Sequence, residues 1–160
     1  MNTGPSTQTI PPVNEPSFNK FLGFLLNSPL RFLSRDNFLY LTYKGRKTGY
    51  QRSLPVQYAV HGTDFVVYVG QSSRKKWWRN FQSEWPISVV RKGRRIASIG
   101  RVVEPGSDEA VELAISYFHR HPTAAESHGL KGVTKTSELD AEQVRAAIEA
   151  DIIIRITPST

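Results

Sequence analysis

Cysteine is absent from this 160-residue chain. That excludes disulfides, thiolate nucleophiles and cysteine-based zinc sites, and it agrees with a reducing, cytoplasmic setting. Long apolar runs are missing too: no stretch approaches the roughly 20 residues a membrane-spanning helix needs. The N-terminus has no basic region followed by an apolar stretch, so no signal-peptide pattern is seen. Acidic residues are few, 14 against 21 Lys and Arg, leaving a formal net charge of +7. Such a surplus points to an anionic partner: nucleic acid, a phosphorylated cofactor or an anionic membrane surface. Neither G-x-x-x-x-G-K-[ST] nor G-x-G-x-x-G occurs, so the P-loop and the Rossmann fingerprint are both excluded. The four histidines, His61, His119, His121 and His128, lack metal-ligand spacing. His119 and His121 are two apart on a predicted helix and do not share a face. Ser53, Ser72 and Ser73 stand in no nucleophile-elbow context. Any reactivity is therefore expected from a bound cofactor rather than from a metal or a catalytic triad.

What is present supports a packed core. Hydrophobic residues make up 39% of the chain and aromatics 11%, and the length suits one domain. Residues 1–16, rich in Pro, Ser, Thr and Asn, read as a disordered tail ahead of a single domain over residues 17–160. Phe18, Phe21, Leu22, Leu25 and Leu26 then form a helical stripe, with Ser17 as N-cap and a stop at Asn27 to Pro29. This helix is expected to pack on the domain. An interfacial membrane helix or a lid is the alternative, and peripheral membrane contact stays open. Lys20 is its only charge, however, so a basic polar face is missing.

From Phe38 the apolar period changes to two. "FLYLTY", "RSLPVQYAV", "FVVYVG", "ISVVRK", "RIASIGRVVE" and "IIIRI" read as six strands. "WWRNF" is long enough for one or two helical turns only. Ser107 caps a helix whose first turn carries Asp108 and Glu109 and which stops before Pro122. Asp140 with Gln143 resembles a capping box for a further helix. The fold expected is α+β, mainly β. It is six-stranded and mostly antiparallel, closing into a small barrel with helices outside.

Two basic clusters could carry function. "YKGRKTGYQR" places Lys44, Arg46, Lys47 and Arg52 around two glycines. It is either a solvated hairpin tip or a loop whose amides and cations hold an anion. "SSRKKWWRN" surrounds Trp77 and Trp78 with Arg74, Lys75, Lys76 and Arg79. That pattern suits stacking on a ring while cations hold its phosphates, and it would equally stack nucleic-acid bases. The plainer alternative is one core tryptophan beside a solvated helix end, since adjacent helical residues point about 100° apart.

In order, "GRKTGYQRSLPVQY", "FVVYVGQSS", "WWRNF" and "VVRKGRRIASIGRVVE" resemble the deazaflavin-dependent nitroreductase family, an actinobacterial-type group with a pyridoxamine 5′-phosphate oxidase-like split β-barrel. The family pattern G-R-[KR]-[ST]-G-x-x-R-x-x-P, followed by W-x-x-N, is matched by Gly45, Arg46, Lys47, Thr48, Gly49, Arg52 and Pro55, then by Trp77 and Asn80. The resemblance implies coenzyme F-420, an anionic deazaflavin with a phosphate and an oligoglutamate tail. It implies hydride transfer from the reduced cofactor to a quinone or nitro-type small molecule. Lys47 and Arg52 would bind the phosphate, with Arg46 and Thr48 in the same loop. Pro55 would lie against the cofactor, Gln71, Ser72 and Ser73 would border its ring, and Trp77 and Asn80 would wall the pocket. The resemblance assigns no proton donor. FMN, haem or an apolar ligand on a non-catalytic split barrel is the second reading, a nucleic-acid-binding module the third, and the protein is expected to be a monomer or homodimer.

Overall fold

The computed structural model describes residues 36–160. The expected tail and N-terminal helix lie outside them. Seven strands form one sheet: β1 Phe38–Lys44, β2 Gln51–Gln57, β3 Ala59–His61, β4 Asp64–Val69, β5 Trp85–Arg91, β6 Arg94–Val102 and β7 Ile152–Pro158. Their order is β2-β1-β5-β6-β7-β4-β3, and every neighbouring pair is antiparallel.

The seventh strand arises at Tyr58, which divides the segment read as one strand. β2 pairs with β1, whereas β3 pairs with β4, so the two halves lie on opposite edges of the sheet. With a single residue between them, those edges must come together, and the sheet curls into a split β-barrel. Tyr58 is built into this corner. Its ring is buried, its hydroxyl donates to Asp36 Oδ1 at 2.8 Å and accepts from Arg91 Nε at 2.7 Å. Its carbonyl accepts from His121 Nε2 at 2.7 Å. Pro55 is tolerated in β2 because that strand is an edge and loses no ladder bond on its free side.

Two apolar clusters share the sheet. Leu39, Leu41, Phe65, Val67, Ile87, Val89, Ile154 and Ile156 fill the barrel. Val66 and Ile153 point the other way, into a layer with Val111, Leu113, Tyr117 and Phe118. β4 and β7 are thus covered on both faces, which is why "FVVYV" and "IIIRI" are apolar without alternation.

The helix ends follow the caps read from sequence. α1, Asp108–Arg120, starts with Ser107 Oγ accepting from the Ala110 amide. α3, Ala141–Ala147, starts with Asp140 Oδ1 accepting from the Gln143 amide at 2.8 Å. The stop at Pro122 is also a start: Pro122 opens a second short helix, α2, Pro122–Ser127, where a missing N–H costs nothing. Glu109 pins α1 to the sheet by bonding both Arg101 and Arg155, which face each other across β6 and β7. Arg155 also reaches the buried Asp64 carboxylate at 2.5 Å, so this like-charged cross-strand pair is neutralised.

Candidate functional site

The six residues joining β1 to β2 close on themselves. The Gly45 amide donates to the Tyr50 carbonyl and the Gly49 amide to the Gly45 carbonyl, both at 2.8 Å. Gly49 takes a left-handed φ of 68°, a conformation that costs glycine nothing. At Gly45 the constraint is contact: a Cβ there would stand 2.6 Å from Thr48 Oγ1. The turn therefore holds Arg46, Lys47 and Thr48 at the mouth of the barrel, with Arg52 at the start of β2.

The second basic segment reaches the same mouth from the other side. Gln71 adopts φ 54°, and its carbonyl accepts from the Arg74 and Lys75 amides. The Trp78 indole N–H donates to the Ser72 carbonyl at 2.9 Å. "WWRNF" is a 3-10 helix, Trp77–Phe81. Phe81 plugs the barrel end, fully buried and edge-on to Tyr43 with centroids 5.0 Å apart.

Direct bonds join the segments. The Arg46 amide donates to Asn80 Oδ1 at 2.7 Å. Its guanidinium donates to the carbonyls of Asn80 at 3.1 Å, Ser83 at 3.2 Å and Glu84 at 3.3 Å, and lies 4.1 Å from the Trp85 ring centroid. Asn80 Nδ2 donates to the Trp77 carbonyl at 2.8 Å. Trp85 Nε1 holds the Lys44 carbonyl at 2.7 Å.

Between the segments lies a cleft of about 420 Å³, within the size range of small-molecule sites. Gly45, Arg46, Lys47, Thr48 and Arg52 line one side, and Lys76, Trp77, Arg79, Asn80 and Gln82 the other. The lining carries five cationic side chains and no carboxylate. Among the described residues, Lys47, Arg52, Lys76 and Arg79 make no ion pair. Their potential is left to act on whatever enters. The indole of Trp77, half-buried, supplies an apolar surface beside them.

Of the ten residues expected at the site, Arg46, Lys47, Thr48, Arg52, Trp77 and Asn80 line this cleft. Pro55 does not; it faces Tyr40 across the β1–β2 ladder. Gln71, Ser72 and Ser73 belong to the preceding loop and are likewise outside the lining. Lys76, Arg79 and Gln82 are additions. The signal for them is periodic: a 3-10 helix has three residues per turn, so positions three apart eclipse on one face. Lys76, Arg79 and Gln82 follow that spacing from the N-cap through to the C-cap.

Tyr43 lies behind this wall. It is directly opposite Arg52 in the ladder, and its hydroxyl is buried with no hydrogen-bond partner among the described residues. Burial pushes its pKa above the ordinary phenol value, and the Arg52 charge partly offsets this.

No protein-family model and no curated protein matches the sequence. Solved structures match in shape. One is an F-420-H2 dependent reductase, FDR-A, at 16% identity and a TM-score of 0.52, covering 75% of this chain and 93% of that one. A domain-swapped dimer matches at 14% identity and 0.52, over 89% of this chain and 99% of that chain. A conserved hypothetical protein from Mycobacterium tuberculosis matches at 14% and 0.52, over 83% and 81%. These likenesses establish the split-barrel fold.

Proposed function

We propose that the cleft binds the anionic deazaflavin coenzyme F-420 and that the protein is an F-420-dependent oxidoreductase acting on a quinone, nitro or other electrophilic small molecule. One observation carries the reading: four cations without acidic partners among the described residues converge with the half-buried Trp77 indole in one cleft. An aromatic ligand bearing several negative charges complements that surface. Lys47 and Arg52 grip the phosphate, assisted by Thr48. Lys76 and Arg79 face the remaining acid groups, and Trp77 packs against an apolar part of the ligand. Each charge-assisted hydrogen bond contributes about 1.5–3 kcal/mol. Three of them approach the roughly 8 kcal/mol that corresponds to micromolar affinity. When bound, the reduced deazaflavin supplies a hydride to the acceptor.

The fold supports the reading, since one structural neighbour is named as an F-420-H2 dependent reductase. Charge placement supports a small anion over a nucleic acid. In the basic β5–β6 hairpin, Arg91 and Lys92 pair with Asp36, and Arg101 pairs with Glu109, so that strand pair offers no continuous free stripe. Among the described residues, no helix is long and apolar enough to cross a membrane.

The test is a fluorescence titration of one preparation with F-420, FMN and haem. F-420 is expected to bind at micromolar concentration and more tightly than FMN, whose single phosphate uses fewer of the cations. No F-420 binding at low salt would refute the proposal, and preferential FMN or haem binding would replace it with the non-catalytic reading. Lys47→Ala combined with Arg52→Ala is expected to abolish binding with the circular dichroism spectrum unchanged. Unchanged affinity would move the anion elsewhere.

A further inference from the structure

We infer that Arg46 is a positioning residue that locks the two cationic walls of the cleft together, and is not itself a ligand of the bound anion. This rests on the anionic-ligand reading above. The guanidinium is already occupied: it donates to three carbonyls at the end of the 3-10 helix and just beyond it. Carbonyls at a helix end lack intrahelical donors, and a planar fork can serve several of them at once. One face of the fork lies over Trp85. The backbone amide of the same residue is held by Asn80 Oδ1, and the Lys44 carbonyl is held by the Trp85 indole. Lys44 and Arg46 are thus both fastened to elements beyond the cleft, and Lys47, the next residue, is delivered to a fixed place.

The lock has electrostatic work to do. Lys47 and Arg52 face Lys76 and Arg79 across the cleft with no carboxylate in the lining. Like charges so arranged repel, most strongly when no anion is bound. Arg46 and the uncharged Asn80 hold the walls against that repulsion. Substituting either one would let the walls separate, even though Asn80 carries no charge.

The experiment compares wild type, Arg46→Lys, Arg46→Ala, Asn80→Ala and the Arg46→Lys/Asn80→Ala double variant. F-420 affinity is measured over a range of salt. Arg46→Lys keeps the charge and Asn80→Ala removes none, yet each is expected to weaken binding by about tenfold. The double variant should lose little beyond the worse single one. Arg46→Ala also removes one unit charge from the lining, so its further loss relative to Arg46→Lys should fade as salt is raised. Wild-type affinity in both Arg46→Lys and Asn80→Ala would show that the bonds between the walls do not matter to binding and overturn the inference.

A ligand-free arm separates this from the cofactor reading: hydrogen exchange at the Arg46 amide. Asn80→Ala should accelerate it by about tenfold or more. An unchanged rate would overturn the lock whether or not F-420 binds, whereas failure of wild type to bind F-420 would count against the cofactor reading alone. Asn80→Ala leaves the guanidinium bonds to backbone carbonyls intact and decides the matter should Arg46→Lys not fold.

Discussion

Gly100→Ala is the sharpest test of how the 3-10 helix is seated. Gly100 lies within β6, paired with Trp85 on one side and Ile156 on the other. Its φ is not in the left-handed region, so alanine is acceptable to the backbone. With free space above it, the substitution would stabilise the protein by about 0.4–1 kcal/mol, through a less disordered unfolded chain. The space is taken. A Cβ would stand 2.9 Å from Phe81 Cδ1 and 3.2 Å from Cε1. The ring cannot easily withdraw, since it is fully buried with Tyr43 at 5.0 Å and Trp77 at 6.2 Å between centroids. Overpacking of this kind costs about 1–3 kcal/mol. Subtracting the entropic gain leaves a net loss of up to about 2.6 kcal/mol. Urea unfolding should show it as a lower midpoint at unchanged slope. Phe81 is also the buried residue of the segment that carries Lys76, Trp77, Arg79 and Asn80, so ligand affinity should fall with stability. Phe81→Leu introduced alongside Gly100→Ala should recover part of both losses. A stability above wild type in Gly100→Ala would refute the claim that Phe81 is clamped in this position.

Tyr43→Phe removes a buried hydroxyl that has no partner among the described residues; it should raise stability by about 1 kcal/mol, read as a higher melting temperature, and a fall would mean that the hydroxyl is satisfied in solution. His121 donates to the Tyr58 carbonyl. Burial, joined by the Arg120 charge, holds its pKa below the ordinary histidine value against the opposing effect of that hydrogen bond. The unfolded chain therefore takes up this proton first on acidification, so the contribution to stability is complete above pH ~6.5 and is lost as pH falls through the lower, folded value. Chemical denaturation of wild type and His121→Asn between pH 7.5 and about 5 should give a shallower acid slope in the variant; parallel slopes would contradict the assignment. Asp36→Asn should destabilise the Tyr58 corner, since Asp36 accepts from Tyr58 and pairs with Arg91 and Lys92. Because these partners hold the Asp36 carboxyl below its ordinary pKa, with the Tyr58 hydrogen bond foremost, the difference from wild type should shrink as pH falls below about 4.

The strands and helix caps were legible because they are written locally. Alternating apolar residues, the Ser107 and Asp140 caps and the stop at Pro122 each depend on neighbours within a few positions. The break at Tyr58 was not legible. No glycine or proline marks it, and its cause is a change of partner strand, which only the closed sheet imposes. The stack of cations on the 3-10 helix was half legible. Lys76 and Arg79 stood out as charges, but the cleft they line together with the β1–β2 turn appears only in the folded chain.

By itself, the sequence determined a β-rich, mostly antiparallel chain with two basic segments, because composition and period fix which residues seek the core and which stay in water. Tertiary structure decided which of those charges are free. Arg46 and Lys47 are adjacent, alike in charge and indistinguishable by local pattern. The fold separates them by bringing Asn80, 34 residues away in the chain, together with Trp85 against one of them and, among the described residues, nothing acidic against the other. Hydrogen bonding and stacking depend on approach in space, and at that range the chain's covalent order carries no record of it.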